Sequence, residues 1–468
     1  MKIEQIYTGC LAQGAYYIES KGEVAIIDPL RETTAYLKKV KEDQAKIKYI
    51  FETHFHADFV SGHLTLSKQT GAPIVYGPNA NPDFEVLLAK DGQEFPLGDI
   101  TLKVLHTPGH TLESTTYLLK DSNGTNQAIF SGDTLFLGDV GRPDLAQKGA
   151  LTQEELAGML FDSLRNKIMP LEDHIIVYPA HGAGSACGKK MMKETVDTLG
   201  NQKKINYALR PDMSKEEFIA EVTDGLLPPP AYFPLNVKLN KSGYEDIDQV
   251  LDRSTKAWLP DTFEDLANQQ SALVLDVRHQ DAFVQGHIPQ SIFIGIDGGF
   301  APWVGALIQD VEQPILLICP EGREEETITR LARVGFDQTL GYLKGGFEAW
   351  KQAGKSFDTM SSIPASEFAE TLLRKPNAVF DVRKDSEYLS QHLENAQHSP
   401  LDFINEHLPH FPKESPFYLH CAGGYRSVIA ASILKKRGIH NLINVEGGFK
   451  AIQKTQLPLT DYVCPSTL

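Results

Sequence analysis

The chain has 468 residues, a formal charge of −16 and 41% hydrophobic residues. That length exceeds what one hydrophobic core supports and argues for roughly three domains. The acidic balance sets aside nucleic acid and anionic membrane as main partners, because binding phosphate needs clustered Lys and Arg. Five cysteines (Cys10, Cys187, Cys319, Cys421, Cys464) lie far apart, as expected of thiols in a reducing compartment rather than a disulfide framework. Residues 1–5 lack the apolar core of a secretion signal, and no apolar stretch approaches the ~20 residues of a membrane span. A soluble, cytoplasmic protein is expected.

Taken in chain order, residues 23–28 read as a buried strand ending at Pro29. Residues 31–44 read as a helix, and 47–52 as a strand delivering the loop Thr53-His54-Phe55-His56-Ala57-Asp58-Phe59. The apolar runs 100–105, 127–130 and 175–178 each stop at a polar or Gly/Pro loop. Helices are expected over 188–199 and 214–223. The run Pro228-Pro229-Pro230-Ala231-Tyr232-Phe233-Pro234 forces an extended path, either a stiff linker or an arm packed on the first domain.

Beyond residue 250 the chain repeats itself. Leu275-Asp276-Val277-Arg278 returns as Phe380-Asp381-Val382-Arg383, and His287 returns as His392 at the same interval. Cys319 returns as Cys421, and Gly345-Gly346-Phe347 as Gly447-Gly448-Phe449, again at one shared interval. The second half is therefore expected to be a tandem of α/β domains, each built on a strand, a cysteine loop and a helix.

Candidate metal ligands cluster in the first half: His54, His56, Asp58, His110, Asp133 and His181, each in a loop just past a strand end. One such histidine alone is usually structural; four with two aspartates point to a metal site. After His-x-His-x-Asp the next residue would ordinarily supply nitrogen to a second metal. Phe59 stands there, and a phenyl ring donates no electron pair to a cation. One ion is expected.

These residues resemble the metallo-β-lactamase superfamily over about the first 190 residues. Within it, Thr53-His54-x-His56-Ala57-Asp58, Pro108-Gly109-His110-Thr111 with Glu113-Ser114, and Gly138-Asp139-Val140-Gly141-Arg142-Pro143-Asp144 look like the persulfide dioxygenases. The resemblance implies an αββα sandwich and one Fe(II) per chain held by His54, His110 and Asp133, with positions open for sulfur and O2. His56, Asp58 and His181 are then partners that orient the ligands, with His56 left open as a fourth ligand. Asp28 reads either as a further supporting acid or as an Asx turn. Arg142 and Asp144 read as a pair holding the loop, and His106 as structural. Cys187 is either a sulfur relay into the metal cleft or a packing cysteine at a helix start.

Cys421-Ala422-Gly423-Gly424-Tyr425-Arg426-Ser427 places a cysteine in a glycine loop before a helix, where N–H groups and the dipole favour an anionic sulfur. Arg426 offers a forked cation for sulfite or thiosulfate. Over residues 362–461 this resembles the rhodanese sulfurtransferases, which implies Cys421 as nucleophile and Gly423, Gly424 and Tyr425 as its substrate cradle. The first copy departs from it. Pro320 removes an N–H, and Glu324, Glu325 and Glu326 repel an anion, so Cys319 is expected not to turn over.

The whole resembles persulfide dioxygenase–rhodanese fusion proteins. It is expected to be an α/β multidomain chain with a first domain over 1–243, a degenerate rhodanese domain over 256–354 and an active one over 362–461. The resemblance implies O2-dependent oxidation of a thiol persulfide (of glutathione, coenzyme A or bacillithiol type) to sulfite, and sulfur transfer at Cys421 giving thiosulfate. A homo-oligomer is allowed. The rivals are a glyoxalase II-type thioester hydrolase with two metals, and a non-catalytic persulfide carrier or sensor using Cys187 and Cys421.

Overall fold

The computed structural model describes residues 1–144 and 151–464. The chain divides into two compact units, Met1–Val250 with Ala332–Gly335, and Leu251–Leu331 with the chain from Phe336 onward.

The first unit holds two six-stranded sheets. One runs in the order Lys2–Thr8, Gln13–Ser20, Glu23–Ile27, Lys46–Phe51, Ile74–Tyr76, Leu87–Leu88. The other runs Asp197–Thr198, Ile176–Pro179, Asn126–Gly132, Thr115–Lys120, Ile100–His106, Glu94–Leu97. Strand residues alternate between faces, so one sequence feeds two cores. Tyr16, Ile18, Ala25, Ile27 and Phe51 meet Leu102, Val104, Tyr117, Leu119 and Phe130 between the sheets. Their neighbours Tyr17, Val24, Ile26 and Ile50 face outward onto Tyr36 and Leu66 of the helices Thr34–Glu42 and His63–Thr70. On the second sheet Leu105, Leu118, Ile129 and Val177 are covered by Ala157, Leu160 and Phe218 of the helices Gln153–Ser163 and Lys215–Thr223. The outcome is the helix–sheet–sheet–helix sandwich that the resemblance implied.

One local expectation changes, and one open alternative is decided. Residues 188–199 form no helix before Leu199, where the helix Leu199–Ile205 begins. The backbone N–H groups of Lys189 and Lys190 both donate to Asp139 Oδ2 at 2.6 Å, so a tertiary carboxylate holds that segment as a loop. Of the two readings of the proline run, not the stiff linker but the arm packed on the first domain holds. It leads into the helix Phe233–Ser242, whose first turn tolerates Pro234 because N–H groups there lack intrahelical partners. From that helix the buried Asn240 amide donates to His56 O and Phe59 O and accepts from Ser61 N–H, all at 2.8 Å.

The second unit holds two five-stranded parallel sheets of the same strand order. The first runs Ala257–Trp258, Thr339–Leu343, Ile315–Ile318, Leu273–Asp276, Ile292–Phe293. The second runs Ser362–Pro364, Leu442–Glu446, Phe417–His420, Ala378–Asp381, Gln397–His398. Both middle strands, Ile315–Ile318 and Phe417–His420, are buried throughout, as parallel strands covered on two faces must be. Each ends directly at its cysteine, on the sheet edge where α/β folds place ligands. The repeated landmarks have a packing reason. Asp381 chelates Arg383, whose guanidinium lies 3.8 Å over the Phe449 ring; Asp276, Arg278 and Phe347 do the same at 4.4 Å. Among the described residues no helix is long and apolar enough to cross a membrane.

Replacing Asn240 by Ala removes three buried hydrogen bonds from the His56–Ser61 turn. The expected cost is about 2 kcal/mol, read as a roughly 30-fold faster amide exchange across residues 54–62.

Candidate metal centre and cysteine loop

His54 follows the strand Lys46–Phe51, His110 follows Ile100–His106, and Asp133 follows Asn126–Gly132. Three strand ends therefore aim three side chains at one point. His54 Nε2 lies 3.8 Å and His110 Nε2 3.5 Å from Asp133 Oδ2, and all three residues are at most 2% exposed.

The hydrogen bonds on the far side of each candidate ligand settle which atom faces inward. Thr53 gives its N–H to Asp28 Oδ1 and its hydroxyl proton to Asp28 Oδ2, each at 2.8 Å. Its oxygen then accepts from His54 Nδ1–H at 2.9 Å, which leaves the lone pair on Nε2. His110 Nδ1–H donates to Arg142 O at 2.8 Å with the same consequence. Asp133 Oδ1 accepts from His181 Nδ1–H at 2.8 Å, while Oδ2 is buried with no hydrogen-bond partner. An orphaned carboxylate oxygen facing two imidazole lone pairs is costly unless a cation joins them. This donor set fits a metal ion. Burial, reinforced by the neighbouring His56, pushes His54 well below the usual imidazole range. Burial opposes ionisation of Asp133, but His181 and His54 hold its carboxyl well below the usual range.

His56, Asp58 and His181 come close enough to form a second candidate group, so the geometry brings them together beside the first. His181 Nε2 lies 2.8 Å from Asp58 Oδ2, so this imidazole spans Asp58 and Asp133. Burial works against its charge, yet the two carboxylates raise His181 well above the usual imidazole range. His56 Nε2 lies 3.1 Å from Asp28 Oδ1 and 3.5 Å from Glu52 Oε2. The fully buried Phe59 ring lies on the His56 imidazole, centroids 4.4 Å apart. Asp28 thus supports the histidine loop directly. Arg142 pairs with Asp144 through two contacts of 2.6 Å and donates to Leu227 O at 2.5 Å. His106 Nε2 meets a backbone carbonyl, that of Leu112, at 2.9 Å.

Cys187 lies beside Asp133 and His181, in an irregular segment and not at a helix start. Burial first, then Asp58 and Asp133, push its thiol well above the usual range, so it is held protonated.

In the second unit the buried Cys421 Sγ accepts from Gly424 N–H at 3.1 Å, at the start of the helix Tyr425–Lys436. Phe449 N–H donates to Cys421 O at 2.6 Å, and a Cβ on Gly448 would stand 2.3 Å from that same oxygen, so only glycine fits there. Arg426 is held by Glu387 in a forked pair of 2.6 and 2.8 Å, and Tyr425 turns its hydroxyl to Gly295 O at 2.7 Å. Gly423 is open to space on its side-chain face. Cys319 differs. Its sulfur meets the Thr327 hydroxyl at 3.6 Å, and burial, abetted by Glu324, pushes its thiol up to about 12.

Some of these partners carry a local signal. Glu52 is an acid at the end of a buried apolar strand, and Thr53 adjoins a candidate ligand. Asn240 and Glu387 carry none, because each meets its site from a distant part of the chain.

The metallo-beta-lactamase superfamily matches residues 8–181, and the rhodanese-like domain matches residues 259–353 and 365–455. The mitochondrial persulfide dioxygenase of Bos taurus is 30% identical over 222 residues, 47% of this chain and 78% of that one. The cytoplasmic hydroxyacylglutathione hydrolase of Arabidopsis thaliana is 33% identical over 147 residues, 30% of this chain; the chain spans just over half of that relative's length, 56%. A crystal structure of a metallo-beta-lactamase from Staphylococcus aureus subsp. aureus COL is 30% identical with a TM-score of 0.65, covering 74% of this chain and 98% of that one.

Thr53→Val should leave His54 Nδ1–H without its acceptor and lower metal affinity about 10- to 100-fold, measured by competition with a chelator. Cys319 should react with iodoacetamide at pH 8 at least about 100-fold more slowly than the exposed Cys464, as followed by peptide mass spectrometry.

Proposed function

Since the chain belongs to the metallo-beta-lactamase superfamily and carries rhodanese-like domains behind that fold, we propose that it is a bifunctional enzyme of sulfur oxidation, set in the cytoplasm. The first unit oxidises a low-molecular-weight thiol persulfide: one persulfide, one O2 and one water give the free thiol, sulfite and two protons. The rhodanese cysteine then makes thiosulfate from that sulfite. Two imidazole nitrogens and one orphaned carboxylate oxygen converge in the buried interior, and this convergence carries the reading.

His54, His110 and Asp133 would hold a single Fe(II). Such an ion supplies redox chemistry and open coordination positions for O2 and a soft sulfur donor. The residues of the chain do the rest. Thr53 and the Arg142 carbonyl keep each imidazole in the ligating tautomer, and His181 fixes the Asp133 carboxylate. Phe59 and the other buried side chains around the histidine loop exclude bulk water. In the second unit the Cys421 thiolate attacks the sulfane sulfur of a persulfide and releases the carrier thiolate. The resulting cysteine persulfide gives that sulfur to sulfite, the S–S bond breaks, and Cys421 returns as thiolate. The Gly424 N–H stabilises sulfur in both charged forms.

A thioester hydrolase is the second reading, favoured by the grouping of His56, Asp58 and His181 beside the first set and by likeness to the hydroxyacylglutathione hydrolase. Metal analysis separates the two. One iron per chain is expected, and two zinc ions per chain would favour the hydrolase.

With glutathione persulfide in an oxygen electrode, the wild type should consume O2, and His110→Ala or Asp133→Ala should reduce uptake to background. Cys421→Ser should let sulfite accumulate with no thiosulfate; undiminished thiosulfate would remove Cys421 from the reaction.

A further inference from the structure

In the second unit, both cysteine loops end on one short segment. Arg323, four positions after Cys319, donates from Nη1 to Asp297 Oδ1 at 2.5 Å. Tyr425, four positions after Cys421, donates its hydroxyl to Gly295 O at 2.7 Å. Arg330 adds a bond from Nη1 to Ile296 O at 2.7 Å. The segment Gly295–Gly298 is therefore braced by two arginines of its own copy and carries the tyrosine of the other.

The seat is shaped for that ring. A Cβ on Gly298 would stand 2.3 Å from Tyr425 Cζ and 2.5 Å from its hydroxyl oxygen. Phe293 meets the ring edge to face at 5.9 Å. The helix behind Cys421 is fastened to the same neighbour: Ser432 Oγ accepts from Phe293 N–H at 3.0 Å, and Lys436 Nζ donates to Gln290 O at 3.1 Å. Tyr425 opens that helix and directly follows Gly424, whose N–H points at the Cys421 sulfur.

We propose that the Gly295–Gly298 segment of the first copy is a positioning element for Cys421. It seats Tyr425, and through Tyr425 it holds the Gly424 N–H on the sulfur. The inference rests on Cys421 being the sulfur-transfer nucleophile and gives work to the copy whose own Cys319 is inert. Arg323, unfit for an anion cradle beside Glu324, Glu325 and Glu326, serves as the brace.

The test uses the full chain with Gly298→Ala. A cavity of about 380 Å3, walled also by Arg278 and Gln280, lies beside the Tyr425 ring, so a displaced ring has room and the variant should fold. Sulfur-transfer kcat should fall about fivefold or more while KM changes less than about twofold, with O2 uptake unaltered. The pH midpoint of Cys421 alkylation, read on its peptide by mass spectrometry, should rise by about half a unit as the N–H leaves the sulfur. Tyr425→Ala should reproduce both changes, and Gly298→Ala should add nothing in that background. An unmoved alkylation profile in Gly298→Ala, or additive effects of the two substitutions, overturns the proposal whatever the transfer activity. A wild type that transfers no sulfur, yet whose alkylation profile still answers to Gly298, counts against Cys421 as nucleophile and upholds the coupling.

Discussion

Two hydrogen bonds from Thr53 to Asp28 fix the orientation of the first histidine in the loop of the first unit. With its hydroxyl proton committed to Asp28 Oδ2, Thr53 can only accept from His54 Nδ1–H, and the imidazole lone pair must then face Asp133. Asp28 occupies a left-handed backbone position, φ +50°, which is costly for a residue with a Cβ. Both of its carboxylate oxygens are taken up by Thr53, and the His56 imidazole adjoins Oδ1. The strain and the hydrogen bonds belong together: the turn that costs energy is the turn that aims the acid at the histidine loop.

Phe59 acts on the same loop by packing. Its ring covers His56, whose Nε2 is turned toward Asp28 and Glu52. Burial, joined by the charge of Asp28, raises Glu52 well above the usual carboxylate range. A histidine so engaged is oriented first by its carboxyl neighbours. The nearby Asp58 and His181 remain tied to each other and to Asp133.

The two rhodanese-like copies keep one topology and differ in the surroundings of their cysteines. Strand order, the Asp–Arg chelate and the Arg–Phe stack are the same in both. The difference sits in a few atoms around sulfur. Cys421 receives a backbone N–H, whereas Cys319 meets a hydroxyl at 3.6 Å in a buried, acid-flanked site. A thiolate is stabilised by donors aimed at it and destabilised by burial without them, so the two loops give their sulfurs different settings within one strand order.

The residue types and spacings of this chain determined a good deal by themselves. Apolar runs that stop at polar or Gly/Pro loops marked the strands, and the His, Asp and Cys positions at their ends marked the candidate sites, because apolar runs and ligand chemistry are both local properties. The repeat was legible for the same reason: Asp276, Arg278 and Phe347 recur as Asp381, Arg383 and Phe449 since one packing motif demands all three. What the tertiary structure alone decided lies in bonds between distant residues. Asp139 turned residues 188–199 into a loop, Asn240 clasped the histidine loop, and Glu387 and Gly295 claimed Arg426 and Tyr425. Each of these partners is separated along the chain from the group it holds by dozens of residues or more. Only the folded packing brings them within hydrogen-bond range, and no local pattern of residues encodes that distance.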